Sequence, residues 1–308
     1  MLAAIITPLL FAGSAVSGYR AAKLLGGTAA NFWRLCVATL LLACWAHQWG
    51  MGLRGAALPM FLLSGVVGFG LGDLALFQAL PRLGSRLTMI LAHCLAAPMA
   101  AAIEWLWLGT TLSAPQMICG TVILVGVAIA LAPEPRAGSV RPDLGSGLLY
   151  GVLAAFGQGF GAVLSRKANQ VAASAGESVD GMSAAYQRVL AGLALAAIVF
   201  IIVKRRESRQ TAAQDRLEPQ SLPQAQGAKW RRAAPWVLVN ALAGPTIGVS
   251  CFQWALKTIP TGIVLPIVAT TPLIVIPFAY VLENERPGVR SVIGSLVAVL
   301  GAAALTLV

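Results

Sequence analysis

Charge is what this sequence has least of. Only 11% of its 308 residues are Asp, Glu, Lys or Arg, against about 25% in a soluble domain. Too few are present to cover a water-facing surface, which excludes an ordinary soluble protein. Acidic residues are scarcer than basic ones, 11 against 22. Histidine occurs twice and cysteine five times. Cys36, Cys44, Cys94, Cys119 and Cys251 all fall inside apolar stretches. They lack the spacing of a metal site or a disulfide framework and read as small packing residues. No G-x-x-x-x-G-K-[ST] loop is present, so nothing points to ATP as an energy source. No metal or other cofactor is expected.

A net charge of +11 would suggest nucleic acid in a soluble protein. In so apolar a chain, basic loops serve to orient it in a bilayer. The expected surroundings are therefore lipid, in an inner or plasma membrane, and not nucleic acid.

What the chain has in abundance is long hydrophobic runs, within a composition that is 58% hydrophobic. About 20 apolar residues span ~30 Å of hydrocarbon. In hydrocarbon the backbone must satisfy its own hydrogen bonds, which makes such runs helices. They are too long, and alternate too little, for barrel strands. About ten spans follow, at roughly 2–22, 28–49, 56–80, 84–108, 113–132, 144–167, 181–203, 233–256, 261–282 and 288–308. The opening Leu2-Ala3-Ala4-Ile5 lacks the basic leader of a signal peptide and is expected to begin a retained helix. The stretch 133–143, rich in Pro and Gly, reads as a linker. Residues 204–232 are polar and without hydrophobic periodicity, and are expected to form a disordered basic connector.

The chain also repeats itself. Gly68, Gly72, Ala79 and Leu80 lie 176 positions before Gly244, Gly248, Ala255 and Leu256. Thr110 and Gly126 lie 175 before Glu285 and Gly301. Duplication of this kind governs the whole architecture. Five spans to each half force the second copy into the bilayer upside down, the inverted-repeat design of many secondary transporters. The expected fold is an all-α membrane protein of ten transmembrane helices in two inverted five-helix repeats. The first repeat is 1–132, the linker 133–143, and the second repeat 144–308.

This pattern resembles the drug/metabolite transporter superfamily in its EamA-type branch. Each repeat there looks like Ala-Leu, a helix with a central Pro, a short Gly-Glu-type break, then a helix with spaced glycines. Here these are Ala79-Leu80, Pro98 and Gly126, then Ala255-Leu256, Pro272, Glu285, Gly294 and Gly301. An Arg early in the second helix of each repeat also fits, Arg34 and Arg188. Thr110 departs from the family's usual Glu. The resemblance implies export or import of a small organic metabolite or drug by alternating access. It implies a cavity lined by spans one, three, four, six, eight and nine. It names no substrate, and oligomeric state stays open.

Several residues are candidates for contact with substrate or proton. Asp73 and His93 lie roughly 12 and 10 Å below the same surface at ~1.5 Å per residue, and ionisable residues at such depth are usually functional. The plainer alternative is a structural pair, or two residues facing separate small cavities. Asp73 is expected to carry a coupling proton. The second copy has Val249 opposite Asp73 and Thr270 and Thr271 near the place of His93. Tyr19, Gln158, Asn240 and Gln253 are further polar residues at depth, and Trp254 and Phe77 are candidate apolar walls. Each alone is more often a helix–helix contact. Pro98, Pro266, Pro272 and Pro277 interrupt spans four and nine, and interrupted helices in matching positions mark a midplane site. Gly68-x-x-x-Gly72 and Gly244-x-x-x-Gly248 read as close packing before they read as a gate. Arg34 and Arg188 read as snorkelling to the interface before they read as anion contacts. The rival function is a membrane-embedded enzyme, or a lipid-modifying or flippase subunit, with Asp73 and His93 as acid and base.

Overall fold

The computed structural model describes residues 2–108, 113–131, 143–215, 224–259, 261–283, 288–304 and 307–308. Thr110, the 133–142 part of the linker and Glu285 lie outside them, as does the side chain of Pro266. Among the described residues every regular element is a helix.

Helices α1 (Leu2–Leu25) and α2 (Gly27–Gln48) open the chain. Helix α3 (Leu58–Gly65) runs through a π-helical stretch, Val66–Gly72, into α4 (Asp73–Met89). A second π-helical stretch, Ile90–Cys94, leads into α5 (Ala96–Leu108). A straight rod from Leu58 to Trp107 would be ~75 Å long at 1.5 Å per residue, far more than a bilayer. Gly84 divides it, at φ 81° and ψ 168°. An L side chain is strained at that φ and glycine is not. Helices α6 (Ala114–Leu131), α7 (Leu144–Ser174) and α8 (Gly181–Asp215) follow. Helix α9 (Gln224–Ala241) passes through a third π-helical stretch, Leu242–Thr246, into α10 (Ile247–Thr258). Helices α11 (Thr261–Val268), α12 (Thr271–Glu283) and α13 (Val289–Ala304) complete the chain.

Six helical runs are long and apolar enough to cross a membrane: Leu2–Leu25, Gly27–Gln48, Leu58–Trp107, Leu144–Ser174, Gly181–Arg209 and Lys229–Lys257. Three shorter apolar helices accompany them, Ala114–Ala130, Thr271–Leu282 and Val289–Gly301. Side-chain polarity matches lipid surroundings. Large apolar residues such as Leu40, Leu106, Ile198, Trp254 and Val281 face outward, while Asn31, Arg34, Gln187, Arg188 and Gln253 are buried. The chain is a multi-pass membrane protein.

Helices pair across the two halves in a reciprocal way. Helix α2 packs on α8, and α6 on α13. Helix α1 packs on α9 and α10, while α7 packs on α3, the first π-helical stretch and α4. Each half therefore lends its first helix to the third rod of the other. That rod runs from α3 through α4 to Gly84 in the first half, and from α9 through α10 in the second; the fourth rod of the first half runs from Gly84 through α5. The π-helical stretches obey the same duplication: Leu242 follows Val66 by 176 positions.

The connector expected to be disordered over 204–232 is helical at both ends. Helix α8 continues to Asp215 and α9 begins at Gln224. The expectation rested on the missing hydrophobic period. Extending an existing helix, however, needs only propagation, without a new nucleus. Lys204, Arg205, Arg206, Glu207 and Arg209 are good helix formers, and Lys204 pairs with Glu207 at 2.7 Å.

Candidate functional site

The site begins with two glycines. Gly27 near the start of α2 and Gly181 at the start of α8 each precede an arginine by seven residues. A side chain on Gly27 would meet the backbone carbonyl of Phe77, and one on Gly181 that of Ser250. Their lack of one lets α2 sit against α4 and α8 against α10. The start of α8 is fixed by Asp180, whose Oδ1 accepts from the amides of Met182 and Ser183 at 3.0 and 2.9 Å. Two turns further on, Arg34 and Arg188 both point inward and are only 4% exposed.

Arg34 donates to Asp73 at the end of the first π-helical stretch. Its Nε donates to Asn31 Oδ1 at 3.0 Å, and its guanidinium lies 4.5 Å from the Phe77 ring centre. Arg188 lies 5.2 Å from the Phe69 ring centre and within electrostatic reach of Asp73. Its buried Nε has no hydrogen-bond partner among the described residues. Each arginine crosses to a glycine of the other half. A Cβ on Gly68 would stand 2.9 Å from Arg188 Nη2, and one on Gly244 3.4 Å from Arg34 Nη1.

These groups border a cavity of about 70 Å³, room for roughly five waters at ~10–15 Å³ each. Helix α1 contributes Phe11 and Ser14; α2 and α8 contribute the arginines. The third and fourth rods add Gly68, Phe69, Asp73, Phe77, Met89 and His93. Gln158 comes from α7, and Asn240, Gly244, Pro245, Val249 and Phe252 from α9 through α10. His93 stacks on Phe11 at 5.6 Å. Asn240 donates to Ser14 Oγ at 3.1 Å. Polar atoms of His93 (Nδ1), Gln158 (Nε2) and Asn240 (Oδ1) are buried without a described partner. Unpartnered buried polar atoms are uncommon, and with Arg188 Nε four of them belong to residues that border this space.

The sequence profile of the EamA-like transporter family matches residues 1–132 and 145–307. The chain belongs to the EamA-like transporter family. Its relatives by profile are membrane transporters. No curated protein matches the chain. Several solved structures are similar; one of them, a crystal structure, matches with a TM-score of 0.62 and 20% identity, over 99% of this chain and 96% of the other, a likeness of fold.

Among the residues singled out in the sequence of this EamA-type chain, Asp73, His93, Gln158 and Asn240 meet at the cavity, with Phe77 as a wall. The expected partnership of Asp73 with His93 is not formed; Asp73 is held by Arg34. Tyr19 instead packs in a cluster with Val16, Ala22 and Leu80, under Lys23. Gln253 is buried, its amide atoms without a partner among the described residues, yet it does not border the cavity. Trp254, taken as a wall, is 64% exposed, because it faces outward on α10. Thr270 and Thr271 lie at the gap between α11 and α12, donating to the carbonyls of Ile267 and Val268 at 2.7 and 2.6 Å. The ninth span thus lends no described residue to the cavity lining.

Arg34 and Arg188 are the residues that sequence reasoning undervalued. Read by distance from the helix starts they should snorkel, but α2 and α8 sit so close to the third rods that the side chains run inward. The signal was present in the duplicated seven-residue spacing from Gly27 and Gly181. The prolines divide by place. Pro272 is the second residue of α12 and Pro277 lies within it. Pro98 follows the second π-helical stretch.

Proposed function

We propose that the chain is a secondary active transporter of a small organic solute, crossing an inner or plasma membrane ten times and working by alternating access. The observation that carries this reading is the cavity shared by the two halves. Its charged groups come from α2, α4 and α8, and its apolar walls from both copies of the third rod. Stretches of π-helix frequently occur at functional sites because they leave backbone groups free to re-pair. Here two such stretches, at matching positions, supply Gly68, Phe69, Gly244 and Pro245. A cavity bordered by both copies is what rocking one repeat against the other would expose to alternate sides.

Asp73 is the coupling group in this reading. Protonating its carboxylate releases Arg34, and that exchange links proton binding to rearrangement of α2 against α4. Purified protein in proteoliposomes tests the function: solute accumulates against its gradient when a pH gradient is imposed. Asp73→Asn removes the pH-driven part. Turnover of a solute without vectorial movement would favour an embedded enzyme instead, and unaltered pH-driven flux in Asp73→Asn would remove the carboxylate from the coupling step.

A further inference from the structure

The duplication leaves the second arginine without its acid. In the first half Arg34 is paired with Asp73. The corresponding residues of the second half are Arg188 and Val249, and both border the same cavity. Among the described residues the cavity therefore holds two guanidiniums and one carboxylate, and that carboxylate is engaged by Arg34. Arg188 is buried, and its Nε is unpartnered. Asp73 lies within electrostatic reach of Arg188, but one carboxylate cannot neutralise two guanidiniums; the excess charge at this depth is costly, and natural membrane proteins pair such groups.

We infer that the substrate is an organic monocarboxylate whose anionic group binds Arg188 beside Val249, in the place where the duplication lacks an acid. This rests on the transporter reading and adds the substrate class. Charge and shape agree on the class. One uncompensated positive charge fits one carboxylate, and a planar guanidinium holds a carboxylate through two parallel hydrogen bonds. Phe11, Phe69, Val249 and Phe252 give the rest of the solute an apolar wall. Gln158 Nε2 and Asn240 Oδ1 offer a donor and an acceptor to orient it. Gly68 has no side chain to obstruct the guanidinium, so Arg188 can follow the ligand as the halves move.

The test uses the full-length protein in detergent, with acetate, propionate, benzoate and phenylacetate, each against its primary amide, at ionic strength held constant with chloride. At least one acid should raise the Tm by about 2 °C or more, with its amide inactive. Val249→Asp, which supplies the missing acid, should abolish that rise. Val249→Asn should keep it, and Arg188→Gln should lose it. The inference is overturned if no acid protects, if amides protect equally, if chloride or inorganic phosphate replaces the acids, or if Val249→Asp and Val249→Asn behave alike. The two readings fail separately. Arg188-dependent protection with no flux of any solute in proteoliposomes keeps the anion site and removes the transporter. Flux of neutral solutes without acid binding does the reverse.

Discussion

Arg34 reaches Asp73 from 39 positions earlier in the same half, and this pair replaces the Asp73–His93 pair that depth alone suggested. Removing one member of a buried ion pair leaves the other uncompensated, at a cost of about 3–5 kcal/mol. The two removals are not equivalent here. Asp73→Asn leaves both arginines without a carboxylate, whereas Arg34→Gln leaves Asp73 within reach of Arg188. Thermal unfolding in detergent should show the larger loss of Tm for Asp73→Asn. Equal losses would mean that Arg188 does not take over the carboxylate.

The paired glycines should separate stability from transport. A Cβ on Gly72 would stand 3.1 Å from Gly157 Cα, and backbone cannot swing away. A Cβ on Gly68 would meet the mobile end of Arg188 at 2.9 Å. Overpacking a tight contact costs about 1–3 kcal/mol. Gly72→Ala should lower the Tm, while Gly68→Ala should leave the Tm nearly unchanged and reduce flux by displacing the guanidinium. The reverse ranking would show that Gly68 is the tighter helix contact.

These contrasts also show what could be read without coordinates. Helix class, duplication and the polar residues Asp73, His93, Gln158 and Asn240 were legible, because hydropathy, fixed spacing and depth are one-dimensional properties. Which side of α10 faces inward is not such a property, and so Trp254 reads from sequence as a wall. Gln253 precedes it by one residue and is buried; one step on a helix turns a side chain by about 100°. The inward course of Arg34 and Arg188 depends on backbone contacts at Gly27 and Gly181, which only the fold brings together.

The gap between α11 and α12 makes a coupled prediction. Pro272 has no N–H to give the Val268 carbonyl, and the Thr271 hydroxyl takes that place at 2.6 Å. With Pro272 present, Thr271→Val leaves the carbonyl without a donor and should cost about 1–3 kcal/mol. In a Pro272→Ala background the restored amide can donate, and the same change should cost far less. A double-mutant cycle read by thermal unfolding measures the difference. Additive effects would show that Pro272 does not create the break. Flux in Pro272→Ala should fall if the break is needed for cycling.

The last prediction is orientation, where charge and family resemblance differ. With the ten crossings proposed above, residues 204–232 carry Lys204, Arg205, Arg206, Arg209, Arg216, Lys229, Arg231 and Arg232 on one side. Loops on that side add Arg20, Lys23, Arg82, Arg86, Arg136, Arg141, Arg286 and Arg290, against Arg54, Arg166, Lys167 and Lys257 opposite. Two contacts join members of the richer set to the same end of the fold: Arg20 donates to the Leu282 carbonyl, and Arg86 to Ser291 Oγ. At the other end Lys257 donates to Ser178 Oγ at 2.7 Å and Glu177 accepts from the Ala56 amide at 2.8 Å. Lys and Arg flanking short loops mark the cytoplasmic side. The expected arrangement has the 204–232 segment in the cytoplasm and both termini outside, although the family resemblance implies cytoplasmic termini. A reporter active only in the cytoplasm, fused after Val308, should be silent. In right-side-out vesicles, protease added outside should leave the 204–232 segment intact. An active reporter together with cleavage from outside would establish the opposite orientation and show that the charge bias does not set the topology.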